Sequence, residues 1–201
     1  MPKNSIPEKI VLASGNSGKL REIQAVLDQQ RFQLIKQSEF NVSDVPETGT
    51  TFVENAIIKA RHAAKQTGLP AIADDSGIEV DALHGAPGVY SARYAGKHGE
   101  DDANNTKLLQ ELKDVADEQR SARFHCVIVY MRHSQDPMPI ICEGTWEGKI
   151  LHELKGPNGF GYDPLFFVPT HGCSSAELDP AEKNKISHRA QALQKLITAL
   201  K

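Results

Sequence analysis

Ile10-Val11-Leu12-Ala13-Ser14-Gly15-Asn16-Ser17-Gly18-Lys19-Leu20 sets the class of fold. The apolar and small residues 10–14 read as a buried strand, the glycines of 15–18 make a loop, and Leu20, Ile23 and Leu27 mark the apolar face of a helix. A strand that enters a helix through a glycine loop is the opening of an α/β chain. In such a loop the backbone N–H groups are bare and the helix N-terminus carries partial positive charge. Ser14, Gly15, Asn16, Ser17, Gly18 and Lys19 therefore suit a phosphate, although the same residues also make a plain structural turn. The loop is not of the Walker A type, which needs Gly where Ala13 stands and Ser or Thr where Leu20 stands.

Outward from this stretch, residues 32–36 read as a strand and residues 43–49 as an acidic loop. Thr51-x-x-Glu54 has the spacing of a reciprocal helix cap, and the helix it opens carries Phe52, Ala56, Ile57, Ala60, Ala63 and Ala64 before Gly68 and Pro70 stop it. Residues 71–74 predict a short strand, Asp75-Ser76-Gly77 a turn, and Ile78, Val80 and Ala82 the buried face of a further strand. Residues 85–99 read as a loop, 103–112 as a helix and 124–131 as a strand. A turn at Asp136-Pro137 and strands over 140–146 and 149–154 predict an antiparallel meander, hence a mixed sheet. Asp179-Pro180-x-Glu182 caps a final helix whose apolar face is Ile186, Ala190, Leu193, Ile197 and Leu200. No repeat or linker divides the chain, so residues 1–201 are expected to form one folded domain.

With 201 residues, 39% hydrophobic and 24% charged, the chain can fill one sizeable core, which excludes intrinsic disorder and fibrous repeats. Lys+Arg 23 against Asp+Glu 26 gives a net charge of −3 and argues against a nucleic acid polymer or an anionic membrane as partner. The longest apolar run, residues 126–131, is too short to span a bilayer, and residues 1–9 lack a signal-peptide core, so a cytoplasmic location is expected. Cys126, Cys142 and Cys173 form no C-x-x-C and are expected as buried thiols.

Three further segments carry polar chemistry. Glu47 and the Asp74-Asp75 pair offer the hard carboxylate oxygens that Mg²⁺ takes, one or two of which suffice beside substrate phosphates. Alternate strand residues face opposite ways, so Asp75 is favoured over Asp74 if a turn begins there; Asp-Ser-Gly is also ordinary turn chemistry. Gly156-Pro157-Asn158-Gly159-Phe160-Gly161-Tyr162-Asp163-Pro164 can lay an aromatic ring against a purine, or equally plug the core as a rigid turn. Lys183 and the His188-Arg189 pair lie near the start of the last helix, where rigid scaffold can aim them at a ligand; Lys185 reads as surface.

Taken together and in order, these segments closely resemble the inosine triphosphate pyrophosphatase family, along nearly the whole chain. The resemblance rests on residues 11–19, Glu47-Thr48-Gly49-Thr50-Thr51-Phe52-Val53-Glu54-Asn55-Ala56, Ala73-Asp74-Asp75-Ser76-Gly77, residues 85–94, Gly159-Phe160-Gly161-Tyr162-Asp163-Pro164 and Ile186-Ser187-His188-Arg189. Ser14 stands where the family usually has Thr, and the hydroxyl is kept. The resemblance implies an α/β fold, an elongated mixed β-sheet with flanking helices in two lobes around a central cleft, assembled as a homodimer. It also implies Mg²⁺-dependent hydrolysis of aberrant purine nucleoside triphosphates (ITP, dITP, XTP) to monophosphate and pyrophosphate. Ser14, Gly15, Asn16, Ser17, Gly18 and Lys19 would then hold the triphosphate, with Lys59 a further phosphate contact. Asp75 would be proton acceptor and metal ligand, and Glu47 a second metal contact. Ser76, Phe160, Gly161, Tyr162, Asp163, Lys183, His188 and Arg189 would bind the nucleotide.

Selectivity follows from the bases. Inosine and xanthine present an acceptor at position 6, where adenine has a donor, and guanine has a donor at position 2. Donors from His188, Arg189 and the backbone of residues 160–162 would favour the first two, with Phe160 or Tyr162 stacking on the ring. A pyrophosphatase for modified pyrimidine triphosphates, or a nucleotide sensor whose carboxylates only hold metal, would use the same residue types.

Overall fold

The computed structural model describes residues 7–14, 19, 20, 23, 24, 27 and 31–201. Seven strands, β1 (Glu8–Leu12), β2 (Phe32–Lys36), β3 (Ala71–Val80), β4 (Ser121–Met131), β5 (Ile140–Ile150), β6 (Phe166–Val168) and β7 (Cys173–Ser174), form one sheet in the order β2-β1-β3-β4-β5-β6-β7. It is mixed: β1 runs parallel to β2 and β3, whereas β6 is antiparallel to β5 and β7. The helices are α1 (Phe52–Thr67), α2 (Asp101–Glu111), α3 (Pro180–Ile186) and α4 (His188–Ala199). Lys19, Leu20, Ile23 and Gln24 are helical as well, and Ile23 and Leu27 are buried as their spacing predicts.

The chain divides into two compact units. One comprises residues 1–75, 127–143 and 192–201, the other 76–126 and 144–191, so the chain passes from unit to unit four times. In the first unit Ala56, Ala60, Ala63 and Ala64 of α1 pack with Val11, Ala13, Ala71, Ala73, Val127, Val129 and Met131. The short side chains let the helix lie close to the strands, which brings its longer polar residues within reach of them. The second unit is built on Ile78, Val80, Leu108, Leu112, Phe124, Trp146, Tyr162, Leu165 and Phe166. The fully buried Arg120 ties segments of this unit together, its Nε donating to the Ile150 carbonyl at 2.8 Å and its terminal nitrogens to Leu112 at 2.7 Å and Leu151 at 2.8 Å.

Three expectations are corrected. Asp75-Ser76-Gly77 is no turn, because β3 runs unbroken over Ala71–Val80 and ladder hydrogen bonding overrides the local preference of those residues for a bend. The strands expected over 140–146 and 149–154 are the single strand β5, whose burial alternates strictly. The final helix is broken at Ser187, which adopts an extended backbone (φ −64°, ψ 160°) between α3 and α4. Ser187 Oγ accepts the Ala190 N–H at 3.3 Å, so the break gives α4 its own cap. All three cysteines are thiols; Cys126 and Cys142 are buried and Cys173 only partly so. No helix among the described residues is long and apolar enough to cross a membrane.

Candidate active site

In the first unit the helix cap positions the acids. Thr51 accepts the Glu54 N–H at 3.3 Å, and Glu54 Oε2 takes the backbone N–H groups of Thr50 (2.8 Å) and Thr51 (2.9 Å) together with both threonine hydroxyls. Those bonds, that from Thr51 first, hold the Glu54 carboxyl below its ordinary pKa. Asn55 extends the net, its Oδ1 accepting the Gly49 N–H at 2.9 Å. A Cβ on Gly49 would stand 2.6 Å from Glu54 Cβ and 2.8 Å from Asn55 Oδ1, so only glycine lets the loop fold down here. This fastened loop carries Glu47.

Lys59, one turn beyond Asn55 on α1, joins the loop to the sheet. Its ammonium donates to Glu47 Oε1 at 2.8 Å and to Asp75 Oδ1 at 2.8 Å, while Asn55 Nδ2 donates to Asp75 Oδ2 at 3.3 Å. Asp75 is thus gripped on both oxygens from one helix face. On the preceding strand residue, Asp74 Oδ2 lies 2.8 Å from Lys19 Nζ. Burial raises the Asp75 pKa, and the Lys59 charge opposes this without cancelling it. For Lys59, burial pulls downward, but the charges of Asp75, Asp74 and Glu47 outweigh it and the net direction is up. The result is a buried carboxylate held against the Lys59 ammonium.

In the second unit Asp163 organises the loop ahead of β6. Its Oδ2 accepts the Phe160 N–H at 2.9 Å and is also bound by Lys183 Nζ, and its Oδ1 accepts the Ser175 hydroxyl at 2.9 Å. Gly159 turns the chain over this carboxylate at φ +82°, leaving no room for a Cβ, which would fall 2.4 Å from Asp163 Oδ2. Phe160 is 51% exposed, and the Lys183 ammonium lies 5.0 Å from its ring centre. Tyr162 faces the other way, 5% exposed, with its hydroxyl donating to the Ser91 carbonyl at 2.8 Å. Of the two rings, Phe160 is the one open to a ligand. His188 and Arg189 are both buried in the first turn of α4, and the His188 ring stacks on Phe124 at 4.8 Å between centres and 12° between planes.

The sequence-predicted residues therefore fall into two groups. Lys19, Glu47, Lys59 and Asp75 meet in the first unit; Phe160, Asp163 and Lys183 meet in the second, with Gly161, Tyr162, His188 and Arg189 in the same unit. Ser14 follows β1, partly buried, and Ser76 lies on β3 next to Asp75. Gly15, Asn16, Ser17 and Gly18 lie outside the described residues. Two of the backbone N–H groups in the base-donor expectation, those of Phe160 and Gly161, are already donated within the protein, to Asp163 and to Asp101. Sequence reading missed Asn55, although its four-residue spacing from Lys59 marks a shared helix face, and it missed Asp101, for which no signal exists in the sequence.

Among the described residues no group of three or more His, Cys, Asp or Glu could cage a metal ion. Glu47 and Asp75 nonetheless converge on one ammonium. Two hard carboxylates converging on a cation fit Mg²⁺, which keeps several waters and completes its shell with substrate phosphates.

The family model described as the Ham1 family matches residues 10–199. A dITP/XTP pyrophosphatase of Vibrio cholerae serotype O1 is 63% identical over 193 residues, covering 96% of each chain. A dITP/XTP pyrophosphatase of Shigella flexneri is 58% identical, covering 96% of this chain and 98% of that one. Among solved structures, a HAM1 protein from Coxiella burnetii superposes with a TM-score of 0.92 at 59% identity, over 96% of this chain and 98% of that one.

Proposed function

The chain belongs to the Ham1 family, and from that premise we propose that it hydrolyses aberrant purine nucleoside triphosphates, ITP, dITP and XTP, to the monophosphate and pyrophosphate. The observation that carries this reading is the Lys59 ammonium bound to Asp75 and Glu47 at 2.8 Å each, with Lys19 at the same distance from Asp74. Cations and a desolvated carboxylate, side by side, are what a phosphoanhydride needs: charge to absorb the phosphates and a base for water.

Asp75 accepts the proton of a water whose oxygen bonds to the α-phosphorus as the bond from that phosphorus to the bridging oxygen breaks. The electron pair of that bond leaves with pyrophosphate. Asn55 and Lys59 hold the Asp75 carboxylate in one orientation, so the base is aimed before substrate arrives. Lys19 and the loop of Ser14, Gly15, Asn16, Ser17 and Gly18 receive the leaving phosphates. Mg²⁺, held by Asp75 and Glu47 with phosphate oxygens, would supply positive charge against the triphosphate and acidify bound water. Phe160 stacks on the purine, and Ser76, Lys183, His188 and Arg189 complete the nucleotide contacts. Donors at both base positions leave donor facing donor with ATP or GTP, a loss of about 1–3 kcal/mol for each unpaired group.

Pyrophosphate release from ITP, XTP, dITP, ATP and GTP, with and without Mg²⁺, tests the assignment. Comparable turnover of ITP and GTP at low concentration overturns the selectivity. Hydrolysis in ¹⁸O-labelled water places label in the monophosphate, and label in pyrophosphate refutes attack at the α-phosphorus. Asp75→Asn lowers kcat by about 10²–10⁴-fold, the usual range for a positioned base. We further propose a homodimer in the cytoplasm, checked by light scattering and fractionation.

A further inference from the structure

The loop that presents Phe160 is fastened by a helix, α2, that carries none of the site residues expected from the sequence. The Gly161 N–H donates to Asp101 Oδ2 at 2.7 Å, and the Gly161 carbonyl accepts from Asn105 Nδ2 at 2.8 Å. Asp101 and Asn105 are four apart in the first turns of α2 and so share one face, which meets both polar groups of a single loop residue. Gly161 sits at φ +60° with open space around its missing Cβ. Its backbone conformation, more than crowding, is what the two side chains hold.

Phe160 is also tied to Asp163: its N–H donates to the Asp163 side chain at Oδ2, 2.9 Å away, and its carbonyl accepts the Asp163 N–H at 3.2 Å. The peptides before and after this exposed ring are therefore both pinned. A ring ordered in advance binds without the entropy cost of ordering it later.

We propose that Asp101 and Asn105 are positioning residues which, by clamping the Gly161 peptide, hold Phe160 as a rigid stacking platform and so set affinity for the base end of the substrate. This rests on the reading of the protein as a purine nucleoside triphosphate pyrophosphatase. The clamp acts on the base, whereas the chemistry belongs to Asp75, so loosening it raises KM and leaves kcat in place.

The test is steady-state kinetics with ITP and GTP on the full chain, with inorganic triphosphate as a competitive probe of the phosphate end alone. Asp101 is exposed, so Asp101→Ala keeps the fold. Its KM for ITP rises about tenfold with kcat within about twofold, and its preference for ITP over GTP falls. Inhibition by inorganic triphosphate stays as in the wild type. Asp101→Asn retains an acceptor for the Gly161 N–H and restores KM, and Asn105→Ala shifts KM in the same direction as Asp101→Ala. An unchanged KM in Asp101→Ala overturns the proposal. So does an equal loss of triphosphate inhibition, or an Asp101→Asn variant as impaired as Asp101→Ala. A wild-type protein that releases no pyrophosphate from ITP or XTP overturns the functional reading and the clamp with it, whereas an active wild type with indifferent variants overturns the clamp alone.

Discussion

Replacing Lys59 with Met removes the cation that holds the acids of the first unit together. Its ammonium is 2.8 Å from Asp75 and 2.8 Å from Glu47, and the three side chains are 15%, 12% and 27% exposed. At an effective dielectric of about 20, each contact is roughly 6 kcal/mol of gross attraction, most of which offsets the withdrawal of the charges from water. Removing one partner of a buried pair costs about 3–5 kcal/mol because a lone charge is left behind. Here the carboxylates keep some water and can take up a proton, which places the loss near about 3 kcal/mol, or about 6–12 °C in Tm for a chain of this size. The pH dependence has a definite sign. Asp75 has a raised pKa, first through burial, so folding favours its protonated form. Stability linked to it is complete below the unfolded pKa and is lost as pH rises through the folded one. Without Lys59 that folded pKa moves further up, and the deficit of Lys59→Met is greater near pH 8 than near pH 5. Thermal unfolding of both proteins across that range, free of metal, decides it. Equal melting near pH 8, or a deficit that widens on acidification, refutes the electrostatic account.

Gly159→Ala forces a left-handed backbone on a residue with a Cβ, about 1–2 kcal/mol, and pushes that atom into the Asp163 carboxylate that anchors Phe160. The expected outcome in kinetics is a higher KM for ITP with a modest fall in Tm. Arg120→Met keeps the volume but strips donors from the buried carbonyls of Leu112, Ile150 and Leu151, so urea unfolding should report a loss of at least about 3 kcal/mol. In the turn between β4 and β5, Arg132 and the backbone N–H groups of Arg132 and Met138 hold the Asp136 carboxyl well below the usual carboxylate range. Its contribution is present above the unfolded pKa and lost as pH falls through the folded one, so the Tm gap between wild type and Asp136→Asn is full at neutral pH and closes in strong acid.

Where sequence spoke clearly, a local rule and the tertiary fold agreed. The Thr51–Glu54 cap, the alanine face of α1 and the strand at Phe32–Lys36 stand where their patterns placed them. Asp75-Ser76-Gly77 misled because turn residues in the middle of a hydrogen-bonded sheet extend with their neighbours. The break at Ser187 was hidden because Ile186 and Ala190 keep helical spacing across it. Of the site, the acids and cations were legible as residue types in glycine-rich or capped settings, but which cation serves which acid is a matter of distance that no spacing encodes. The resemblance implies a phosphate contact for Lys59; that its ammonium also joins Glu47 to Asp75 is seen only in the structure. Asp101 touches Gly161 across sixty positions of chain, a contact with no local trace.

The fourfold passage of the chain between its units bears on how the protein is made. The unit that holds Asp75 draws on residues 192–201, where Ala192, Leu193 and Leu196 are buried and Lys195 donates to the Glu143 carbonyl at 2.7 Å. On the ribosome, Asp75 emerges long before that closing helix, and until the helix arrives its hydrophobic seat stays open to chaperones and to other nascent chains. A chain cut short ahead of residue 192 thus lacks the last segment of the unit that holds Asp75.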